Sequence, residues 1–279
     1  MTEFLDITGG RIAYEVTGEG PLIVLAHGIG DRRQAFRFLA PELVRAGYRV
    51  AAADMRGHGE SSAGDWKSIS RTDVAGDLIA LIRHLGGGPA VIVGHSLSGG
   101  AATIAAATEP SLVSGIVELG PFTRRVRYSL GGLARVRRYR RGTLLMTGVL
   151  LLRSLRSWLR YLDLAYPEKP ADYDAYMAAL RAKLSEPGRM AELLKTMKTS
   201  PADAGAALPR ITCPALVIMG DEDPDWADPR AEAEGIVAEM PAGLGAVAMV
   251  KRGGHYLHAQ APGEVAGLVT GFIRERVRA

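Results

Sequence analysis

At residues 90–100 the chain reads Ala90-Val91-Ile92-Val93-Gly94-His95-Ser96-Leu97-Ser98-Gly99-Gly100, and this short stretch already specifies a strand, a tight turn and a helix. The continuous apolar run is that of a buried strand, and the alanine-rich text up to Glu109 is helical. A serine on the turn between them has its hydroxyl lifted clear of the backbone. Small residues two positions to either side let strand and helix approach, which is the logic of the G-x-S-x-G pattern. Here those positions are Gly94 and Ser98. Ser98 departs from glycine but is small, and Gly99-Gly100 follow at once. Ser96 is therefore the candidate nucleophile.

Working outward, strand and helix signals alternate. Gly9-Gly10 marks a hairpin leading into Arg11–Val16, and Leu22–Ala26 is a short buried strand ending at His27-Gly28. A helix through Pro41–Ala46, a strand Tyr48–Ala53 and a glycine-rich turn Asp54–Ser61 come next. Val74, Leu78, Leu81, Ile82 and Leu85 keep helical spacing, stopped by Gly86-Gly87-Gly88. Leu112–Leu119 reads as strand. From about Pro121 to Pro209 strand signals vanish and only helical text remains. They return at Ala215–Met219 and Ala246–Val250, and a last helix starts at Pro262. Such alternation implies a mostly parallel sheet covered on both faces, with a helical insertion above the carboxyl ends of the strands, where such sheets bind ligands.

A serine needs a base, and the base needs an acid to fix its tautomer. For this kind of turn the chain order is Ser, acid, His. Gly220-Asp221-Glu222-Asp223-Pro224 follows one late strand and Gly253-Gly254-His255-Tyr256 the next. Asp221 and Glu118 are rival acids and His258 a rival base. His27 and His95 precede the acid in the chain and read as structural or pocket-lining, His58 belongs to the glycine turn, and His84 to a helix surface. Asp221, Asp223, Asp225 and Glu232 imitate a calcium-loop spacing, but Trp226 stands where that loop needs glycine. No zinc signature, phosphate loop or dinucleotide fingerprint is present.

With His27-Gly28, Asp54-Met55-Arg56-Gly57-His58-Gly59-Glu60-Ser61, the Ser96 turn and the Asp223 and His255 turns, the chain resembles the α/β-hydrolase fold family from end to end, in its serine-nucleophile branch. The resemblance implies an α/β fold with a mostly parallel eight-stranded sheet. It implies a core of residues 1–120 and 210–279 and a helical cap, or lid, at 121–209. It makes Ser96, Asp223 and His255 a triad, since the fourth residue of the family's Gly-x-x-Asp turn is Asp223. It also makes the Ile29 and Leu97 amides the oxyanion hole. His95, Trp226 and Trp158 are expected in the substrate pocket. Dehalogenases and epoxide hydrolases of this fold carry Asp at the turn, where this chain has Ser96.

The expected function is hydrolysis of a carboxylic ester or related acyl compound with a hydrophobic body, with no cofactor and no metal. The same triad also serves cofactor-free perhydrolase or haloperoxidase, C–C bond hydrolase and lyase chemistry, and a receptor-like binding role with little turnover is a further alternative. The 279 residues carry 34 Lys plus Arg against 30 Asp plus Glu, a net +4. Between Leu119 and Leu162, however, lie 11 arginines and no acid, leaving the remainder at −7. Arg137, Arg138, Arg140 and Arg141 are expected around a pocket mouth, favouring an anionic substrate or an acidic carrier protein. Nucleic acid is not expected, for lack of a motif. Leu144, Leu145, Val149, Leu150, Leu152, Leu155, Trp158 and Leu159 are expected to form the apolar face of the cap. The longest apolar stretch, about 11 residues at Gly142–Leu152, is too short for a membrane span. The first residues lack a secretory signal and Cys213 is the only cysteine, so a cytoplasmic location is expected.

Overall fold

A computed structural model describes residues 1–64, 66–86 and 88–277. Eight strands form one sheet: β1 (Glu3–Ile7), β2 (Gly10–Thr17), β3 (Leu22–Ala26), β4 (Arg49–Ala53), β5 (Ala90–His95), β6 (Val113–Leu119), β7 (Ala215–Gly220) and β8 (Gly245–Val250). Their spatial order is β1-β2-β4-β3-β5-β6-β7-β8. The β1–β2 and β2–β4 pairs are antiparallel and every other pair is parallel. Strand β5, which leads into Ser96, thus lies in mid-sheet, between β3 and β6.

Twelve α-helices are described. On the sheet side these are α1 (Leu39–Arg45), α2 (Arg71–Leu85) and α3 (Leu97–Thr108). Between β6 and β7 lie α4 (Leu130–Arg135), α5 (Arg137–Leu152), α6 (Leu155–Ala165), α7 (Tyr173–Leu184), α8 (Arg189–Met197) and α9 (Ala202–Ala207). After β7 come α10 (Pro229–Ala238), α11 (Leu257–Gln260) and α12 (Pro262–Arg276). Helix α2 opens with a Ser70–Asp73 capping box and closes on left-handed Gly86. Gly87, from the glycine run expected to stop it, lies outside the described residues.

The alternation of side chains along a strand explains why the central runs are apolar throughout. In β3, Leu22, Val24 and Ala26 join the layer formed with α2, α3 and α10, while Ile23 and Leu25 join the opposite layer with α1, α11 and α12. A third cluster, built on Val149, Trp158, Tyr161, Leu162, Tyr173 and Tyr176, belongs to the inserted helices and reaches Tyr256. At its end the insertion rejoins the sheet-side layer, since Ala204, Ala207 and Leu208 pack with α2 and α3. Leu144 and Leu152, expected on the packed face, are instead exposed, as is Leu150 in part. The α5 surface turns a second apolar strip outward, which a list of apolar residues alone did not separate from the inner one.

The glycine turn after β4 is held by ions. Asp54, fully buried, accepts the Arg33 amide at 2.6 Å and the Glu60 amide at 2.8 Å, and it pairs with the Arg33 guanidinium. Arg33 is itself buried and also reaches Glu60 and, at 2.9 Å, Glu15. Removing the cation would strand Asp54 in protein. Arg33→Met is expected to cost about 3–5 kcal/mol in urea unfolding, whereas Glu60→Gln, at the exposed rim, should cost below about 1 kcal/mol. Equal losses would show that the buried pair has no special weight.

Candidate active site

Ser96 sits at the carboxyl end of β5 with φ 55° and ψ −118°. That backbone is rare for a residue bearing a Cβ and costs of order 1–3 kcal/mol. Three backbone hydrogen bonds fix it. Its amide donates to the Leu119 carbonyl at 2.9 Å, and its carbonyl accepts from Gly99 at 3.1 Å and Phe122 at 3.2 Å. A Cβ added at Gly94 would lie 2.2 Å from the Ser98 carbonyl oxygen, so only glycine fits two residues before the serine. The hydroxyl of Ser98 donates to the His27 carbonyl at 2.6 Å, a bond that glycine there could not make.

His255 follows β8 on a turn bonded into the inserted helices, its amide donating to the Ala165 carbonyl at 3.0 Å. Its Nδ1 lies 2.8 Å from Asp223 Oδ2. The other Asp223 oxygen accepts the Asp225 amide at 2.9 Å, which orients the carboxylate. Of the rival acids, Asp221 is exposed, and Glu118 is buried with its oxygens taken by Thr103 and Thr123. Burial raises the Glu118 carboxyl to about 7 despite those two bonds. The rival base His258 is enclosed between Phe36 and His95. His27 accepts the Met55 amide at 3.0 Å and holds the glycine turn, while His84 meets the Tyr14 hydroxyl at 3.0 Å.

A cavity of about 250 Å³ opens over these groups, lined by Ser96, His255, Ile29, Leu97 and His95, with Phe122, Val126, Met146, Leu150, Trp158 and Met197 making it largely apolar. His95 donates through Nε2 to the His255 carbonyl at 3.1 Å, so it also steadies the histidine turn. Trp158 stacks on Tyr161 with ring centroids 5.3 Å apart. Trp226 is not among the lining residues. It is buried against Phe122, with ring centroids 4.9 Å apart. None of the 11 arginines between Leu119 and Leu162 lines the cavity either. Nine are exposed, Arg124 pairs with Glu232 and Glu239, and Arg138 donates to the Asp223 carbonyl at 3.3 Å. The arginine that does line it is Arg71, at the start of α2.

Two polar groups of the cavity escaped sequence reasoning. Arg71 carried no motif. Asp225 looked like part of a metal-loop imitation, yet its Oδ2 is 3.3 Å from His255 Nδ1 and accepts the Tyr161 hydroxyl at 2.6 Å. Asp223, Asp225 and His255 form the one cluster of metal-ligand type among the described residues. Both carboxylates address the same ring nitrogen, which is the pattern of a hydrogen-bonded acid–base group. Burial lowers the His255 pKa, but Asp223 and then Asp225 outweigh it and hold it up at about 9.

A sequence model described as the alpha/beta hydrolase family matches residues 23–268. Over 95% of the chain and 92% of the relative, the sequence is 29% identical to 2-(acetamidomethylene)succinate hydrolase of Mesorhizobium japonicum. It is 28% identical to the magnesium-chelatase 30 kDa subunit of Rhodobacter capsulatus, over 91% and 87% of the two chains. Similarity to epoxide hydrolase B of Mycobacterium tuberculosis, at 34%, spans only 41% of this chain and 33% of that one. Among solved structures, the esterase of Exiguobacterium antarcticum superposes with a TM-score of 0.80 at 20% identity, covering 99% of this chain and all of the other.

The second carboxylate has a measurable consequence. Asp225→Asn removes a negative charge that favours the imidazolium, so the His255 pKa should fall by on the order of one unit. An NMR titration of the ring reads this directly, and an unchanged or raised value would show that Asp225 exerts no field on it.

Proposed function

Because the chain belongs to the alpha/beta hydrolase family, we propose that it is a serine hydrolase cleaving a carboxylic ester or related acyl compound with a hydrophobic body. The observation that carries this reading is that Ser96 and His255 line one largely apolar cavity, with His255 bonded from behind to Asp223. In the proposed mechanism Ser96 Oγ attacks the acyl carbonyl while His255 Nε2 takes its proton. Asp223 fixes the proton on Nδ1 and stabilises the imidazolium. His255 then protonates the leaving group, and water, activated by the same ring, breaks the acyl-enzyme.

The tetrahedral oxyanion is assigned to the amides of Ile29 and Leu97. In support, a Cβ at Gly28 would lie 2.8 Å from the Ser96 Cβ, so the β3 turn runs directly beside the nucleophile. Leu97 is the first residue of α3, whose amide end carries the favourable helix dipole. One such donor is worth roughly 3 kcal/mol in the transition state. The chain between residues 121 and 209 serves as the cap: Val126 from the loop before α4, with Met146, Leu150 and Trp158 from its helices, roofs the cavity and excludes water. A serine at the turn departs from the aspartate that epoxide hydrolases use, although part of the chain is similar to them.

A second reading keeps the three residues and changes the bond. The near full-length relative from M. japonicum is named for a succinate derivative rather than a simple ester, so product analysis belongs beside any ester assay. The nucleophile itself is tested with a fluorophosphonate probe. One adduct, mapped to Ser96, is expected, and Ser96→Ala should lose at least about 10⁴-fold in kcat on whichever ester turns over. An adduct elsewhere, or turnover kept by Ser96→Ala, would end the serine reading.

A further inference from the structure

Arg71 is only 5% exposed, yet it lines the reactive cavity. Its Nε donates to the Phe122 carbonyl at 2.8 Å, and Nη1 reaches Thr199 Oγ1 only at 3.4 Å. No carboxylate lies within ion-pairing distance among the described residues, whereas the other buried guanidinium, that of Arg33, pairs with Asp54. Asp203 acts on it only at longer range and is engaged by the Thr72 hydroxyl at 2.7 Å. A buried cation without a counter-charge is costly, and its retention beside a substrate cavity calls for an anion supplied from outside. The place is specific. A Cβ at Gly100 would meet Arg71 Cδ at 2.8 Å, so the side chain crosses α3 one helical turn, roughly 6 Å, beyond the nucleophile.

Resting on the serine-hydrolase reading, we propose that Arg71 binds a carboxylate of the substrate, so that the natural substrate is an acyl compound bearing a free acid a few carbons from the scissile carbonyl. Guanidinium and carboxylate match as a two-pronged pair, and the apolar walls leave the pair little competing water. Asp225, the cavity's own carboxylate, does not neutralise Arg71, being engaged by Tyr161 and His255.

The test compares monomethyl glutarate with methyl valerate, which differ only in a terminal carboxylate against a methyl. The wild type should prefer the acid. Arg71→Gln should lower the ratio of the two kcat/KM values by about 10- to 100-fold, with Arg71→Lys between them. Separately, Ser96→Ala protein should bind glutarate by calorimetry and lose that binding on adding Arg71→Gln. Glutarate binding without turnover would sink the serine reading and keep the subsite. Turnover with an unchanged ratio, and no binding of glutarate, would overturn the subsite.

A second observation stands independently of the chemistry. Among the described residues, the exposed large apolar side chains are Met1, Phe4 and six more, all between 128 and 152. Leu130, Leu144, Leu151 and Leu152 are 82%, 65%, 77% and 75% exposed. Around them lie the exposed Arg135, Arg137, Arg140, Arg141, Arg153 and Arg156, with no acid in the segment. Arg140 caps α4, donating to the Leu133 and Ala134 carbonyls at 3.0 and 3.1 Å, but Arg137 opposes the α5 dipole at a terminus whose N-cap Val136 provides no side-chain bond, so helix stability does not explain it. Two copies meeting through this face would set arginine against arginine. We infer that the α4–α5 face docks on an anionic lipid bilayer, leucines in the headgroup boundary and guanidinium groups on phosphates.

Co-sedimentation with phosphatidylcholine vesicles, alone and containing phosphatidylglycerol, tests this. Binding is expected only with the anionic lipid, abolished by high salt or by Arg137→Ser, Arg140→Ser and Arg141→Ser together. It should be weakened about tenfold or more by Leu144→Ser, Leu151→Ser and Leu152→Ser together. No binding, binding indifferent to lipid charge, or a leucine-dependent dimer in sedimentation velocity would each overturn it.

Discussion

The left-handed backbone of Ser96 is the constraint to which the neighbouring chain conforms. An L-residue does not hold φ 55° unless its surroundings over-determine it, and here they do so from four directions. Strand β6 takes its amide, the loop after β6 and the first turn of α3 take its carbonyl, and the β3 turn crowds its Cβ. Each of these partners lies at the carboxyl end of a parallel strand, so the parallel order β3-β5-β6 is a prerequisite of the turn. The apolar β-runs that build this sheet therefore determine where a hydroxyl can stand free of the backbone.

Burial then decides which polar groups near that hydroxyl matter. His27, His58, His95 and His258 are all buried, and desolvation lowers the pKa of each. Of the buried histidines only His255 departs upward, because two carboxylates face its Nδ1. The five buried histidines thus reduce to one imidazole with two carboxylates on a single ring nitrogen. The electrostatic distinction agrees with the chain-order argument, although the two rest on different physics.

What was legible in the sequence was what short-range pattern encodes. The β5–Ser96–α3 stretch, the Pro262 helix start and the strandless block after β6 are each written in consecutive residues. Arg71, Asp225 and Trp226 were not, for a shared reason. Arg71 comes to the cavity across α3 and Asp225 folds back under Tyr161, contacts made by residues 51 and 64 positions away. Trp226 follows Asp225 directly in the chain but packs on Phe122 outside the cavity lining, so proximity in sequence to a site residue misplaced it. The leucines of α5 were legible as apolar but not as outward, since one helix carries both an inner strip at Leu145 and Val149 and an outer one at Leu144 and Leu151.

The inserted helices also hold the histidine. Helix α6 accepts the His255 amide through Ala165 and bonds Asp225 through Tyr161, while α5 touches the Asp223 carbonyl through Arg138. On the next side, Arg37 forks onto Asp172 with both bonds at 2.6 Å, and Tyr176 bonds buried Asp31. A rigid departure of the whole insertion would break all of these and release His255 and its acids from position. Entry to the cavity is therefore better served at a rim that these bonds leave free. Tyr128 and Leu150 form such a rim: both line the cavity, both are exposed, and neither side chain is tied to the sheet by a hydrogen bond. They are also the inner edge of the arginine- and leucine-rich face, so whatever covers that face lies at the threshold of the cavity that Ser96 lines.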